Sequence, residues 1–519
     1  MWYVRLVLLE EDRDALVATL QRLGIIDLRR GALNLDSDCP RPYASSIYEL
    51  LGKFDEAVKV LPQRKVTPAK SLTACRLLKE AGRELETVKK VMDLDARRKF
   101  LLDQELSIRH SDYLDHRALH RNRKEQLKIS SALNSMGAKH YGSLVSLREM
   151  LEIEHGRDEA VSMLKTTGHA CVMEGWISSK RFLELGNAAN AATSGRCSIE
   201  KIAVHELPPT YPGGGQNSFA KAFNHVINLY SVPRSDEANP AWLFMLSFPI
   251  LFGLMVGDVG YGMLSLALGL LIARYTGEDS IVHDMAVIWQ LAAAFTILFG
   301  IINNQYLGFE LGQHISPLLG GFDWKHNIST VISIAIAIGL AQLSAGLIVG
   351  FMNNYRKRRF SMAVSKLLLL CMLLSGTAAV AGIMFHAFSS AVSAASAAVA
   401  LSCIILLFSV KPSQGERIID LILYPVSYIR IVGFGITSVV IGGVINDMFA
   451  PDISAGAGMF AIYLAIFCIL HLLNLALSTF EGAIQGVRLN FVEFFDQFYT
   501  GGGTMFRPFY YKRVYTGEV

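Results

Sequence analysis

The sequence predicts a multi-domain chain. Residues 1–238 read as an α+β arm of long coiled-coil helices and two small α/β lobes, and residues 239–519 as an all-α membrane domain of eight transmembrane helices, the last two long and tilted. Three observations predict this. Of 519 residues, 52% are hydrophobic and the mean hydropathy is +0.35, too apolar for an ordinary soluble chain of this size. The hydrophobicity is concentrated: charged, helically periodic sequence fills the first part, and long apolar runs dominate from about residue 241. The basic residues of the second part gather in alternate loops.

Taken in order, "MWYVRLVLLEEDRDALVATLQRLGIIDLRR" reads as strand, helix, strand. It has too short an apolar run for a signal peptide and soon turns acidic, so the arm is expected to stay in the cytoplasm. Residues from about 45 to 135 read as long charged helices with interspersed Leu and Val. "HACVMEGWISSKRFLEL" and "CSIEKIAVHEL" read as the second α/β lobe, and helices near 218–232 lead to the membrane. The seven cysteines (Cys39, Cys75, Cys171, Cys197, Cys371, Cys403, Cys468) include no CxxC pair, which argues against a disulfide framework or a zinc site. His110, Asp112, His116 and His120 invite a metal reading. Arg109, Arg117 and Arg121 surround them, so they read as a solvated helix face, and no metal or cofactor is assigned.

Apolar runs long enough to be spans lie near 242–257, 259–275, 285–302, 329–352, 365–386, 389–410, 418–449 and 457–497. The first two read either as one long helix or as a hairpin around Gly257-Asp258. Charge bias favours the hairpin. With a cytosolic N-terminus, eight spans place Arg274, "NNYRKRRF" (353–360), "KPSQGER" (411–417) and "RPFYYKR" (507–513) in the cytoplasm. The opposite side then carries Asp258, Glu310, Asp323, Asp447 and Asp452, with Lys325 its only Lys or Arg. The last two spans exceed the hydrocarbon core. Residues 418–449 make a helix of roughly 48 Å against about 30 Å, so both are expected to tilt. "SSAVSAASAAVA" (389–400) provides close helix packing through small residues.

Charged residues inside these runs are the candidate functional residues. On a continuous helix Arg430 lies roughly 21 Å from Glu416 at the cytoplasmic rim, so it falls near the membrane centre. An arginine there costs about 2.5–3.5 kcal/mol on insertion scales and needs a partner or a wet cavity. Glu481 and Arg488 share one face of the last helix, two turns apart, and Glu493 follows toward the cytoplasmic end. They read either as a neutralising pair or as the lining of a polar path. Ser427, Tyr428, Thr437, Ser438, Asn446 and Asp447 add polar atoms to the neighbouring helix. Nothing points to ATP chemistry: there is no GxxxxGK[ST], and Gly213–Gly215 and Gly501–Gly503 read as a junction and a turn.

"FPILFGLMVGDVGYG" (248–262) resembles a signature of the membrane-embedded subunit a, or subunit I, of vacuolar/archaeal-type rotary ATPases in its prokaryotic version. "ELPPTYPGGGQNSFAKAFNHVINLYSVP", "VMEGWISSKRFLEL", "LFGIINNQYLGFELG", "SYIRIVGFGITS" and "RLNFVEFFDQFYTGGGTMFRPF" resemble further blocks of that family, in family order. The resemblance implies that Arg430 is the arginine facing the rotating ring, Arg488 the second arginine, and Glu416 an acidic position toward the cytoplasm. Ser478 stands where eukaryotic relatives carry a buried Glu, with Glu481 one turn nearer Arg488, and Ser438 stands where they carry a His. It also implies two offset ion half-channels and no catalysis by this chain itself, ATP being turned over on other subunits. The implied partners are the proteolipid c/K ring, peripheral-stalk subunits of E and G/H type, a central-stalk-connecting subunit of d/C type and the lipid bilayer, with no nucleic acid. The implied location is a prokaryotic plasma membrane with both termini cytoplasmic. Two other readings compete: an ion-coupled secondary transporter with a cytosolic regulatory domain, against which the halves show no clear repeat, and a purely mechanical anchor, against which Arg430 argues.

Overall fold

The computed structural model describes residues 1–30, 43–64, 66, 68–70, 72–110, 116–167, 169–204, 206–211, 218–278, 280–310, 328–385, 389–451 and 456–517. Cys39, Asp112, Gly213–Gly215, Asp323, Lys325 and Asp452 lie outside them, as do the side chains of His110 and Glu310. The chain forms two units, one of residues 1–208 with 506–519 and one of residues 209–505.

In the first unit, strands β1 (Trp2–Leu9) and β2 (Ile26–Arg29) flank helix α1 (Arg13–Leu23). Gly24 ends α1 in the left-handed conformation, as a helix C-terminus favours. Helices α2 (Ala44–Val60), α3 (Ala74–His110) and α4 (His116–Met163) follow. Then come β3 (Lys165–Thr166), β4 (Ala170–Ile177), α5 (Phe182–Ala192) and β5 (Ser198–Ile202). The two lobes expected from the sequence are one: β1 pairs antiparallel with both β4 and β5, and β2 and β3 share the far edge of β4. The physical reason is burial. Val4, Leu6 and Leu8 point to one face of β1 with Cys171, Met173 and Ile177 of β4, and α1 and α5 cover that face. Residues 1–30 alone would supply only two strands, which are marginal without further partners.

Helices α3 and α4 run antiparallel as a pair about 55 Å long at 1.5 Å per residue. Asn122 Nδ2 donates to the Leu101 carbonyl at 2.9 Å and Arg97 meets Glu125 at 3.1 Å. Residues 506–517 belong to this unit. Phe506 packs with Tyr3 and Trp176, and the Phe509 amide donates to the Ile26 carbonyl at 2.8 Å. Glu149 of α4, 3% exposed, accepts from the Val514 and Tyr515 amides at 3.0 and 2.6 Å and from Thr516 Oγ1 at 2.6 Å.

In the second unit, helix α6 (Ser218–Tyr230) precedes α7 (Ala241–Val256), α8 (Val259–Tyr275) and α9 (Ile281–Ile302). A short ribbon of β6 (Gln305–Tyr306) and β7 (Phe309–Glu310) follows. Then come α10 (Ile328–Arg356), α11 (Phe360–Phe385), α12 (Ser390–Val410), α13 (Glu416–Ser427), α14 (Ile429–Phe449) and α15 (Ala457–Arg488). Helix therefore occupies all eight apolar runs. Among the described residues six helical stretches are long and apolar enough to cross a membrane. Helices α7 and α8, with 16 and 17 residues, are shorter.

Gly257, at φ +44°, ends α7, and the Asp258 carboxylate caps α8 by accepting from the Tyr261 amide. The chain reverses there. Gly253 backs onto Phe295 and Asp258 onto Gly300, so α7 runs with α9, whereas Gly262 meets Ile297 and Gly269 meets Gln290, so α8 runs against it.

Two expectations need correction. The run 418–449 is two helices, broken at Tyr428: Pro425 lacks an amide donor and crowds the preceding turn. Arg430 thus stands in the first turn of α14, and a straight-helix distance from Glu416 does not set its depth. The run 457–497 is α-helical only to Arg488, passes into a π-helix over Leu489–Phe494 and ends in a 3-10 turn at Phe495–Gln497.

Candidate functional site

The candidate residues cluster on α13, α14, α15 and the π-helix. Arg430 is half-buried. Its Nη1 is buried without a hydrogen-bond partner, and among the described residues no acid pairs with it. One helical face away from the core carries Arg430 with Thr437, Ile441, Val444 and Met448, all four exposed. The facing stripe of α15 exposes Leu473, Leu477, Ile484 and Arg488, with Glu481 half-buried among them. Glu481 and Arg488 form no ion pair with each other among the described residues, which disfavours their reading as a neutralising pair. Glu416 is exposed at the start of α13.

Behind this face lie two buried polar networks. The first joins α14 to α15 and α8. Ser438 and Ser478 meet Oγ to Oγ at 2.8 Å. Asn474 Nδ2 donates to the Tyr261 hydroxyl at 2.9 Å and to the Ser438 carbonyl at 3.2 Å. His471 bonds the Tyr261 hydroxyl through Nδ1 at 2.8 Å and Asn446 Oδ1 through Nε2 at 3.0 Å. Asn446 Nδ2 donates to the Leu307 carbonyl at 2.9 Å. Asp258 holds that turn by accepting from the Leu307 and Gly308 amides at 2.9 and 2.8 Å. Each of these seven polar groups has a partner; a buried one left unsatisfied would cost about 1–3 kcal/mol.

The second network surrounds the π-helix, where the wider turn re-aims side chains. Asn490 Oδ1 accepts from Ser247 and, at 3.0 Å, from Gln342 Nε2, while the Tyr428 hydroxyl donates to Gln342 Oε1 at 3.1 Å. Glu493 is 1% exposed, lies beside Ser427, and keeps Oε2 without a partner. Arg430 follows two residues after Tyr428, and Ser438 lies two turns further along α14. Along α14, position 430 therefore lies between the residues that join the two networks.

The structure thus brings Ser438 to Ser478, sets Glu493 with Ser427 in the second network within reach of the Arg488 charge, and leaves Arg430, Glu481 and Glu416 without an ion pair among the described residues. Sequence reasoning missed Tyr261, His471, Asn474, Gln342 and Asn490. The available signal was the spacing of His471, Asn474 and Ser478 at i, i+3 and i+7, one polar stripe inside an apolar helix. Among the described residues no group of three or more His, Cys, Asp or Glu is placed to hold a metal ion.

The profile of the V-type ATPase 116kDa subunit family matches residues 88–318. An A-type ATP synthase subunit I of Methanocaldococcus jannaschii is 24% identical over 432 residues, which cover 76% of this chain and 62% of that protein. A subunit of the same name from Halobacterium salinarum is 23% identical, covering 75% of this chain and 68% of its own length. A V-type ATP synthase subunit I of Borreliella burgdorferi is 24% identical, covering 59% and 54%. The chain spans between about half and two thirds of the length of these relatives.

Proposed function

We propose that this multi-pass membrane protein, whose residues 88–318 match the V-type ATPase 116kDa subunit family and whose relatives include A-type and V-type ATP synthase subunits I, is the membrane stator subunit of a rotary ATPase. In this reading it offers two offset half-channels to a rotating proteolipid ring. The observation that carries the reading is Arg430, its Nη1 unpartnered, on an exposed apolar face of α14 between the residues that join two buried polar networks.

Each ring subunit brings one carboxylate to mid-membrane. Protonated or ion-loaded, it tolerates lipid; ionised and alone, it does not. As it passes Arg430 the fixed positive charge favours the ionised form, so the ion leaves. The guanidinium stays charged and carries no proton away. It separates the paths, and an ion crosses only by riding the ring. The network around Tyr261, His471 and Asn474 serves the outer path, and the one around Glu493, Asn490 and Gln342 the cytoplasmic path. Glu416 and Arg488 flank the latter, Glu481 borders the ring, and Ser478 with Ser438 belongs to the outer path. The membrane potential contributes about 2.3 kcal/mol per charge per 100 mV.

We include α7 and α8 among eight crossings, with both termini cytoplasmic in a prokaryotic plasma membrane. The reversal at Gly257 and Asp258 supports this count. The 1–208 unit, with its long α3–α4 pair, acts as the arm that peripheral-stalk subunits of E and G/H type and a d/C-type subunit hold against ring torque. ATP is made or hydrolysed on other subunits.

The test is copurification and pumping. The tagged chain should bring down a proteolipid ring, and inverted vesicles lacking the chain should lose ATP-driven ion uptake. Substrate uptake by the chain alone in liposomes, without a ring, would instead establish the transporter reading. Within the complex, Asn474→Leu keeps the volume but strips partners from Tyr261, Ser438 and Ser478. Each buried partner lost costs about 1–3 kcal/mol. The variant is expected to copurify normally and to pump at a small fraction of the wild-type rate; an unchanged rate would remove this network from the path.

A further inference from the structure

Two backbone carbonyls fix the hydrogen positions in the first polar network. A carbonyl oxygen only accepts, so the contacts of Asn446 with the Leu307 carbonyl at 2.9 Å and of Asn474 with the Ser438 carbonyl at 3.2 Å identify the two amide nitrogens. Asn446 therefore turns Oδ1 to His471, and Nε2 carries the hydrogen of that 3.0 Å bond. A neutral imidazole has one N–H, which leaves a lone pair on Nδ1. The Tyr261 hydroxyl, 2.8 Å away, donates to it and accepts from Asn474 Nδ2. Every hydrogen bond along Asn474, Tyr261, His471 and Asn446 thus points the same way, toward the Leu307 turn.

The surroundings of His471 suit a group that takes up charge. Helix α8 presents the Tyr261 hydroxyl, the α7–α8 turn the Asp258 carboxylate, whose charge acts on His471, and α14 the Asn446 amide. Phe467 of α15 covers the imidazole at a centroid distance of 4.3 Å. A cation inside the membrane needs a countercharge, and Asp258 is a fixed one, held by the amides of Tyr261, Leu307 and Gly308.

Sodium is poorly served by the same groups. It crosses a protein on oxygen ligands that replace its water. Tyr261, His471, Asn474, Asn446 and Ser478 are each 6% exposed or less, and the oxygens of Tyr261, Asn474 and Asn446 already accept from other members of the network. A chain of hydrogen bonds passes a proton without passing a heavy atom.

We infer that His471 is the proton-carrying group of the outer path, and that the ion moved is the proton and not sodium. The inference rests on the half-channel reading above and names its ion. In the pumping direction a proton leaves a ring carboxyl and reaches the Tyr261 oxygen through water. As that O–H bond forms, the hydroxyl's own O–H bond breaks and its proton passes to His471 Nδ1. The added charge rests on the imidazolium, balanced by Asp258. Loss of one proton to water on the outer side restores the neutral imidazole.

The test uses the assembled complex in inverted vesicles with two readouts, ATP-driven acidification and ATP-driven uptake of radioactive sodium. Wild type is expected to acidify at a rate that does not change when sodium is raised about a hundredfold, and to take up no sodium once a protonophore is present. His471→Gln keeps one donor and one acceptor but cannot carry charge. It should copurify with the ring, and its acidification should fall at least about tenfold. Its pH profile should also lose one titration that wild type shows, a change that a purely structural role would not produce. Sodium uptake by wild type that persists with protonophore would overturn the inference. So would a glutamine variant that assembles and acidifies like wild type with the same pH profile. Either result leaves the ring-facing role of Arg430 standing; that role fails instead if no ring copurifies or if Arg430→Ala pumps normally. The sodium readout needs no variant, so it decides the ion even if the glutamine chain fails to assemble.

Discussion

Replacing Arg430 by alanine is expected to abolish ATP-driven ion uptake, with a fall of at least about 100-fold, while the complex still copurifies. A hundredfold is about 2.7 kcal/mol at the transfer step, a modest demand on a full charge in a poorly solvated site. The structure supports normal assembly. The Arg430 side chain makes no ion pair among the described residues, so its loss orphans no buried acid. Arg430→Lys should recover part of the rate, because the charge persists while the planar fork is lost. Uptake measured in inverted vesicles decides the matter. Normal pumping by the alanine variant would make this charge structural and sink the half-channel assignment. Loss of pumping together with loss of the ring would instead show a packing role.

The second large effect belongs to the 1–208 and 506–519 unit. Glu149→Ala removes the acceptor of two backbone amides and one hydroxyl at once. With about 1–3 kcal/mol for each buried group left unsatisfied, and partial rescue by water, about 2–5 kcal/mol of local stability is expected to vanish. Hydrogen exchange on the full chain reads this directly: Val514 and Tyr515 amides should lose protection by a factor of about thirty or more. Glu149→Gln keeps one acceptor oxygen and should fall between. If the alanine variant protects these amides as wild type does, the carboxylate does not anchor residues 514–516.

These two sites mark what a linear sequence reveals. Apolar runs show where helices lie, since burial in lipid or core leaves a signal at each position, and all eight runs are helical. Arg430 stands out because a cation in such a run has few explanations. Glu149 does not, because α4 is rich in charge and only its long-range partners, more than 360 residues away, distinguish it. The same holds for the sheet. The alternation in β1 tells which residues point inward but not that β4 and β5 supply its neighbours. Pro425 marks the break before Arg430, but the apolar residues continue on both sides and mask it. Ser438 is legible as a polar residue in an apolar run and Ser478 as the place where relatives carry a Glu, but their contact appears only when α14 meets α15.

A methyl on Gly308 would strike the Gly442 backbone at 2.6 Å, and one on Gly442 would press against the Gly308 Cα at 3.1 Å. Gly308 also has φ +72°. Two main chains from distant parts of the sequence therefore touch with no side chain between them, at the turn that Asp258 holds. In evolutionary terms this is a veto, absolute at 308 and softer at 442. Gly308 is not free to drift, and glycine at 442 has nothing left to give up in compensation. Descendants of this sequence that keep the turn must keep Gly308, whereas a side chain at 442 asks the turn to give by a few tenths of an ångström.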